Sequence, residues 1–286
     1  MTKHDADSFY QDVPKEQQRL FLNFHRDHPY ATMRFQGKER QYLSCGQGKK
    51  AVVFLHGALV GPDMWFYPIL ELEKRCRVVA PLFTPQTMGA QEAIGFVRAI
   101  LEAEAISTAT IVGYSYGGGV AQLFVEAHPH MVDRLVLSHT GLVGRQGSTA
   151  QIEKTKKVVR FLPFFVMKKK LKDRIEHVPA SDWNAFHSAY FAQTTAQLTK
   201  RQFLDYLESV LRFEREAKSL LAGGRKWQGE TVLLGTHGDK DAFEYLETLS
   251  KLYSNSKSYI FEQGGGHHTV FLFPEEYTRV LSQYLE

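Results

Sequence analysis

Gly113-Tyr114-Ser115-Tyr116-Gly117 is the stretch whose residue types and spacing point most directly to chemistry. It has the G-x-S-x-G spacing, and Gly118 and Gly119 follow it. An apolar run with Ile111 and Val112 precedes it, and a helical stretch from Val120 to Ala127 comes after. A sharp turn between a buried strand and a helix lifts a serine side chain out of the sheet and strains its backbone. Small residues on both sides let neighbouring backbones pass close by. The start of the helix adds backbone N–H groups and a positive dipole end. A serine so placed is suited to act as a covalent nucleophile. A glycine-rich turn with an incidental serine is the bland alternative, and the strand-turn-helix context argues against it. A dinucleotide-binding turn is disfavoured too, because the spacing is not G-x-G-x-x-G and the turn follows a late strand.

The elements around this turn alternate. Ala51-Val-Val-Phe-Leu55, Arg77-Val-Val-Ala80, Ala109-Thr-Ile-Val112 and Arg134-Leu-Val-Leu137 read as strands buried on both faces. Helical stretches over Ala90–Glu104 and Tyr116–His128 lie between them. Upstream, a polar helix or arm ends near His28-Pro29, and Tyr30–Phe35 and Arg40–Ser44 suggest a hairpin turning at Gly37-Lys38. From about Gly144 to Ala222 the periodicity is helical and no good buried strand occurs. Gly223-Gly224 ends that block. The alternation resumes with a strand at Thr231–Leu234, a helix at Ala242–Tyr253 and a strand at Ser258–Phe261. A closing helix runs over Pro274–Leu285 with Pro274 in its first turn. The pattern predicts an α/β fold with a mostly parallel central sheet, flanking helices and an inserted helical cap. Residues 1–140 and 223–286 would form the core, and residues 141–222 the cap or lid.

From about Tyr30 to the C-terminus, the helical block apart, the sequence resembles the α/β-hydrolase superfamily. The resemblance rests on the nucleophile elbow at Ser115 and the strand it follows. It implies a serine hydrolase with a Ser-His-Asp triad, and it gives other residues roles. Phe54-Leu55-His56-Gly57-Ala58 ends the first strongly buried strand. The resemblance implies that the backbone N–H groups of Ala58 and Tyr116 form an oxyanion hole, with the His56 ring bracing the loop. Gly264-Gly-Gly-His267-His268 follows the last strand, where the family places its base. His267, directly after the glycines, is the choice over His268; an imidazole titrates close to physiological pH. Gly235-Thr-His-Gly-Asp239-Lys-Asp241 follows the strand Thr231–Leu234. Counting from the strand start selects Asp239 as the acid, whereas a G-x-x-D count selects Asp241. Asp239 is preferred, Asp241 stays as the alternative, and the other aspartate would cap the helix before Ala242. One departure stands out. Many relatives carry an acidic residue and a G-x-G-x-S turn after the second buried strand, where this chain has Pro81-Leu-Phe-Thr-Pro85-Gln-Thr-Met-Gly89.

The substrate is harder to read. Phe161–Met167 is apolar enough to line an acyl or aromatic pocket, while Trp183, Phe186, Tyr190 and Phe191 recur at helical spacing and suit packing of cap on core. The lysine run Lys168–Lys172 suits a solvated helix face or an approach to an anionic membrane surface. A small to medium carboxylic ester, or a related acyl compound, is the expected small-molecule substrate. Thioester or C–C bond hydrolysis on the same triad, a lid-gated lipase, and a ligand-binding protein with little turnover are the alternatives. Epoxide hydrolases and dehalogenases are disfavoured because those relatives usually place Asp at the nucleophile position.

Composition narrows the class further. The chain has 286 residues, 43% hydrophobic and 23% charged, as expected of a globular α/β domain. Its 35 basic and 31 acidic residues leave +4, too small a surplus to argue for nucleic acid. Cys45 and Cys76 do not make a disulfide framework. Adjacent His267 and His268 project apart with no third ligand spaced to match, so neither a metal nor an organic cofactor is expected. Met1–Gln18 is polar and has no signal-peptide core, and no apolar run reaches the roughly 18–20 residues of a spanning helix. No stable membrane insertion and a cytoplasmic location are therefore expected.

Overall fold

A computed structural model of the chain describes residues 8–84, 89–145, 148–196 and 198–285. Residues 85–88, in the loop that departs from the relatives' pattern, lie outside the described residues. Helix α1 (Lys15–Asp27) leads into the hairpin β1 (Ala31–Phe35) and β2 (Lys38–Cys45). Then come β3 (Lys50–Leu55), α2 (Phe66–Leu72), β4 (Cys76–Pro81), α3 (Ala90–Ala103), β5 (Ala109–Tyr114), α4 (Tyr116–Ala127) and β6 (Val132–Ser138). Four helices follow: α5 (Ser148–Phe161), α6 (Phe164–Glu176), α7 (Asn184–Ala196) and α8 (Lys200–Leu220). The chain closes with β7 (Thr231–Gly235), α9 (Lys240–Leu252), β8 (Ser256–Ile260), α10 (Thr269–Leu272) and α11 (Pro274–Gln283).

The strands form one eight-stranded sheet in the order β1-β2-β4-β3-β5-β6-β7-β8. β1 pairs antiparallel with β2, and β2 with β4; every later pairing is parallel. Successive side chains of a strand point to opposite faces, and both faces here are covered. Val52, Phe54, Val112, Val136 and Val232 join one core with residues of α1, α2 and α11, including Phe24, Ile69 and Leu281. Val53, Leu55, Ile111, Leu135 and Leu233 join the other with α3, α4 and α9, including Val97, Phe124 and Leu249. Burial on both faces is why these strands read as continuous apolar runs rather than as alternating ones.

This is the α/β-hydrolase fold expected from the sequence. The helix α2 was not visible there, because seven residues containing Pro68 give too short a stretch for a helical period. The helix after β7 starts at Lys240, two residues before the expected Ala242. In the helical block, Thr199 and Gln202 form a capping box that fixes the start of α8. Phe203, Leu207 and Leu211 are buried along that helix at a spacing of one turn. Gln17 Nε2 donates to the Asp182 carbonyl at 2.9 Å and Tyr10 Oη donates to Gln193 Oε1 at 2.8 Å, so the N-terminal segment holds α7.

Candidate active site

Ser115 occupies the turn between β5 and α4 with φ 53° and ψ −115°. That is a left-handed conformation for a residue with a Cβ, at a cost of about 1–3 kcal/mol. The surroundings hold it there. The Ser115 N–H donates to the Ser138 carbonyl at 3.1 Å, and the Thr140 hydroxyl donates to the Ser115 carbonyl at 2.7 Å. A Cβ on Gly117 would lie 2.1 Å from the Leu55 carbonyl oxygen, and one on Gly113 would lie 2.5 Å from that of Gly117. Only glycine lets β3 and the elbow approach this closely.

His267 brings its Nε2 to 2.9 Å from Ser115 Oγ and its Nδ1 to 2.6 Å from Asp239 Oδ2. The loop after β8 is braced from below, since the buried Tyr114 hydroxyl donates to the His267 carbonyl at 2.8 Å. Asp239 is 7% exposed. Burial raises its carboxyl pKa, but the hydrogen bond and charge of His267 outweigh this and hold it below the ordinary value. Its second oxygen accepts from the Ala242 N–H at 3.2 Å, so Asp239 also caps α9. The capping role expected of the other aspartate thus falls to Asp239 itself, because the helix starts earlier than the sequence pattern implied. Asp241 lies in the first turn of α9, and its side chain is outside the described residues.

A carboxylate, an imidazole and a hydroxyl in this order can pass a proton from Ser115 to His267 while Asp239 fixes the ring tautomer and stabilises the imidazolium. The three line a cavity of about 710 Å³ together with Ala58 and Tyr116. Tyr116 is the first residue of α4, so its N–H has no acceptor within that helix. A Cβ on Gly57 would lie 3.6 Å from Ser115 Cβ, which puts the loop of Ala58 beside Ser115. The His56 ring is inside the protein. Its Nδ1 donates to the Gly57 carbonyl at 2.7 Å and its Nε2 accepts from the Phe83 N–H at 2.9 Å, with burial pulling its pKa down to about 4.

Three residues at the site carried no role in the sequence reading. Thr140 supports the elbow, as described, and Tyr114 supports the histidine loop. His139, 1% exposed and with φ 46°, also borders the cavity. Its ring stacks on Tyr114 and meets His267 edge to face, at centroid distances of 5.2 and 6.4 Å. Its Nδ1 lies 2.9 Å from Ser138 Oγ, and its Nε2 has no hydrogen-bond partner among the described residues. Burial first, then the neighbouring His267, lower its pKa to about 3, so it is neutral. The signal available was position alone: residues just past the C-terminal end of a parallel strand face the ligand crevice. His268 also borders the cavity, but its Nδ1 is engaged 3.0 Å from Nε2 of the buried His187 on α7.

The expected lining of the cavity needs correction. Residues 161–167 do not contribute to it; Leu171, Ile175, Phe191, Val210 and Phe213 do. Residues 161–167 form the tip between α5 and α6, where Phe164 and Met167 pack in a separate small cluster with Val159, Phe203 and Leu207. Trp183, Phe186 and Tyr190 are buried between α7 and the core, as their spacing implied. Among the described residues, His28, Cys45 and Glu73 have the composition of a metal site. The Phe24 carbonyl and the Glu73 carboxylate lie 2.9 and 2.6 Å from the two ring nitrogens of His28. Both ring nitrogens of His28 are thus already engaged by protein oxygens.

Comparisons with known proteins follow the same lines. The sequence model of the alpha/beta hydrolase family matches residues 52–280. Uncharacterized proteins of Mycobacterium bovis and Mycobacterium tuberculosis are 30% identical over 127 residues, which is 41% of this chain and 37% of theirs. The match therefore spans well under half the length of these relatives. Among solved structures, a hydrolase from Pseudomonas aeruginosa superposes with a TM-score of 0.71 at 16% identity, over 90% of this chain and 98% of its own. An esterase from Exiguobacterium antarcticum gives 0.68 at 17% identity, over 86% and 96%. An epoxide hydrolase gives 0.66 at 16% identity, over 90% and 98%. Likenesses this remote speak for the fold, whereas the family model covers most of the chain, the elbow and the histidine loop included. On that match the chain belongs to the alpha/beta hydrolase family.

Proposed function

We propose that the protein hydrolyses a small to medium carboxylic ester through an acyl-enzyme on Ser115. The observation that carries this reading is the continuous relay from Ser115 Oγ through His267 to Asp239, at 2.9 and 2.6 Å. His267 Nε2 takes the hydroxyl proton as Oγ attacks the ester carbonyl carbon. The carbonyl oxygen becomes an oxyanion and is met by the N–H groups of Ala58 and Tyr116. The C–O bond to the alcohol breaks, and His267 returns the proton to the departing alkoxide. Water then gives a proton to His267 and attacks the acyl carbon, the bond to Ser115 Oγ breaks to release the acid, and His267 returns its proton to Oγ. Asp239 stays ionised throughout.

The cavity volume is in the range of small-molecule sites, and Leu171 and Ile175 of α6, Phe191 of α7 and Val210 and Phe213 of α8 give it an apolar side that suits an acyl chain, beside the polar Thr194, Thr195 and Glu214. The four helices between β6 and β7 act in this reading as the cap over the site. The test is turnover of p-nitrophenyl esters of rising chain length by the wild type and by Ser115→Ala. The wild type should turn over one range of lengths, and the variant should lose roughly 10⁴-fold or more in kcat while staying folded. Full activity in Ser115→Ala would remove the nucleophile assignment.

A further inference from the structure

The apolar-then-basic segment of the helical block takes no part in the cavity, and its surface is unusual. Phe161 is 84% exposed and Phe165 72%. Val158, at 44%, joins them, so three large apolar side chains stand in solvent at one hairpin tip. Helical spacing explains which faces they occupy. On α5, Lys154, Lys157, Val158 and Phe161 are all exposed, three or four residues apart. On α6, Phe165 and Lys169 form the exposed stripe beside Lys170, while Leu171 and Ile175 turn inward to the cavity. The outer faces of both helices therefore carry aromatic rings at the tip and lysines behind them.

The charge is concentrated in the same place. Residues 148–176 hold nine Lys and Arg against three Asp and Glu, a net of +6. The whole chain is +4, so everything outside this hairpin sums to −2. Lys156 is paired with Glu208, and Lys168 Nζ donates to the Ala196 carbonyl at 3.0 Å. Lys154, Lys157, Lys169 and Lys170 are exposed and form no ion pair among the described residues. Exposed aromatic rings rimmed by basic side chains match a surface that is apolar inside and anionic outside.

We propose that the α5–α6 hairpin is a peripheral docking surface for an anionic lipid bilayer. Phe161 and Phe165 enter the headgroup–acyl boundary, and the lysines behind them meet the phosphate groups. No helix among the described residues is long and apolar enough to cross a membrane, so the attachment is superficial and reversible. Charge selects this occupant over a second copy of the chain, because two such hairpins face to face would oppose +6 with +6. The proposal does not depend on the ester chemistry. Docking here would place a bilayer against the outer face of α6, whose inner face walls the cavity.

The test is co-sedimentation of the full-length chain with vesicles of pure phosphatidylcholine and with vesicles containing 30% phosphatidylglycerol. The variants are Phe161→Ser/Phe165→Ser and Lys169→Glu/Lys170→Glu, each checked for fold by circular dichroism. The wild type should bind the anionic vesicles, and binding should fall as salt rises. Each double variant should weaken binding by about tenfold or more. Absence of binding by the folded wild type, or binding that both variants retain in full, would overturn the proposal. A wild-type dimer in solution that Phe161→Ser/Phe165→Ser dissociates, without vesicle binding, would assign the surface to self-association instead and overturn it as well.

Discussion

Asp239 uses its two carboxylate oxygens for two separate tasks. Oδ2 holds the His267 ring and Oδ1 caps α9. Asparagine caps a helix about as well as aspartate but cannot offer a carboxylate to an imidazolium. Asp239→Asn should therefore keep its melting temperature and lose roughly 10⁴-fold in kcat on a p-nitrophenyl ester. Asp241→Asn should stay near wild type. Equal, mild losses in both variants would remove Asp239 from the relay. At this scale the sequence carried Ser115, His267 and the choice between two aspartates, because each sits at a fixed distance from a strand end. It did not carry His139, Thr140 or Tyr114. His139 and Thr140 follow the C-terminal end of β6, a position many residues share, and Tyr114 closes β5; what each contributes is a contact with a residue distant in sequence, which local spacing does not show.

Among elements, legibility followed burial. The four strands from β3 to β6 are covered on both faces, so each shows as an apolar run in sequence. β8 starts two residues and ends one residue before the stretch read from the sequence, since its exposed Lys257 and Ser258 break the run. The α5–α6 hairpin misled more seriously. Phe161–Met167 has the composition of a pocket lining, yet the turn at Leu162-Pro163 puts Phe161 and Phe165 outside and sends Phe164 and Met167 to a local cluster. Composition gives hydrophobicity; only the relative rotation of two helices decides which side chains are covered. The elbow itself was legible because its requirement is local: a positive φ at Ser115 between glycines that let β3 and α4 nearly touch.

For the molecule as a whole, buried imidazoles set the response to acid. His56, His139 and His187 are at most 1% exposed, and burial lowers their pKa values to about 4, 3 and 3. Between an unfolded value near 6.5 and those folded values, the unfolded chain binds protons that the folded chain refuses. Stability should thus be unaffected by these groups above pH about 6.5 and fall as the pH drops towards 4, by about 1.4 kcal/mol per pH unit for each group. Urea unfolding at pH 7.5, 6.5 and 5.5 reads this directly. A stability that is flat or rising on acidification would mean that these rings take protons in the folded state. The central claim is that Ser115 is a nucleophile activated by His267. It is tested most directly by labelling the folded protein with a fluorophosphonate and mapping the modified peptide. Stoichiometric phosphonylation at Ser115, slowed in His267→Ala and absent in Ser115→Ala, is the predicted result. No label on a folded wild type, or a label on a different residue, would contradict it.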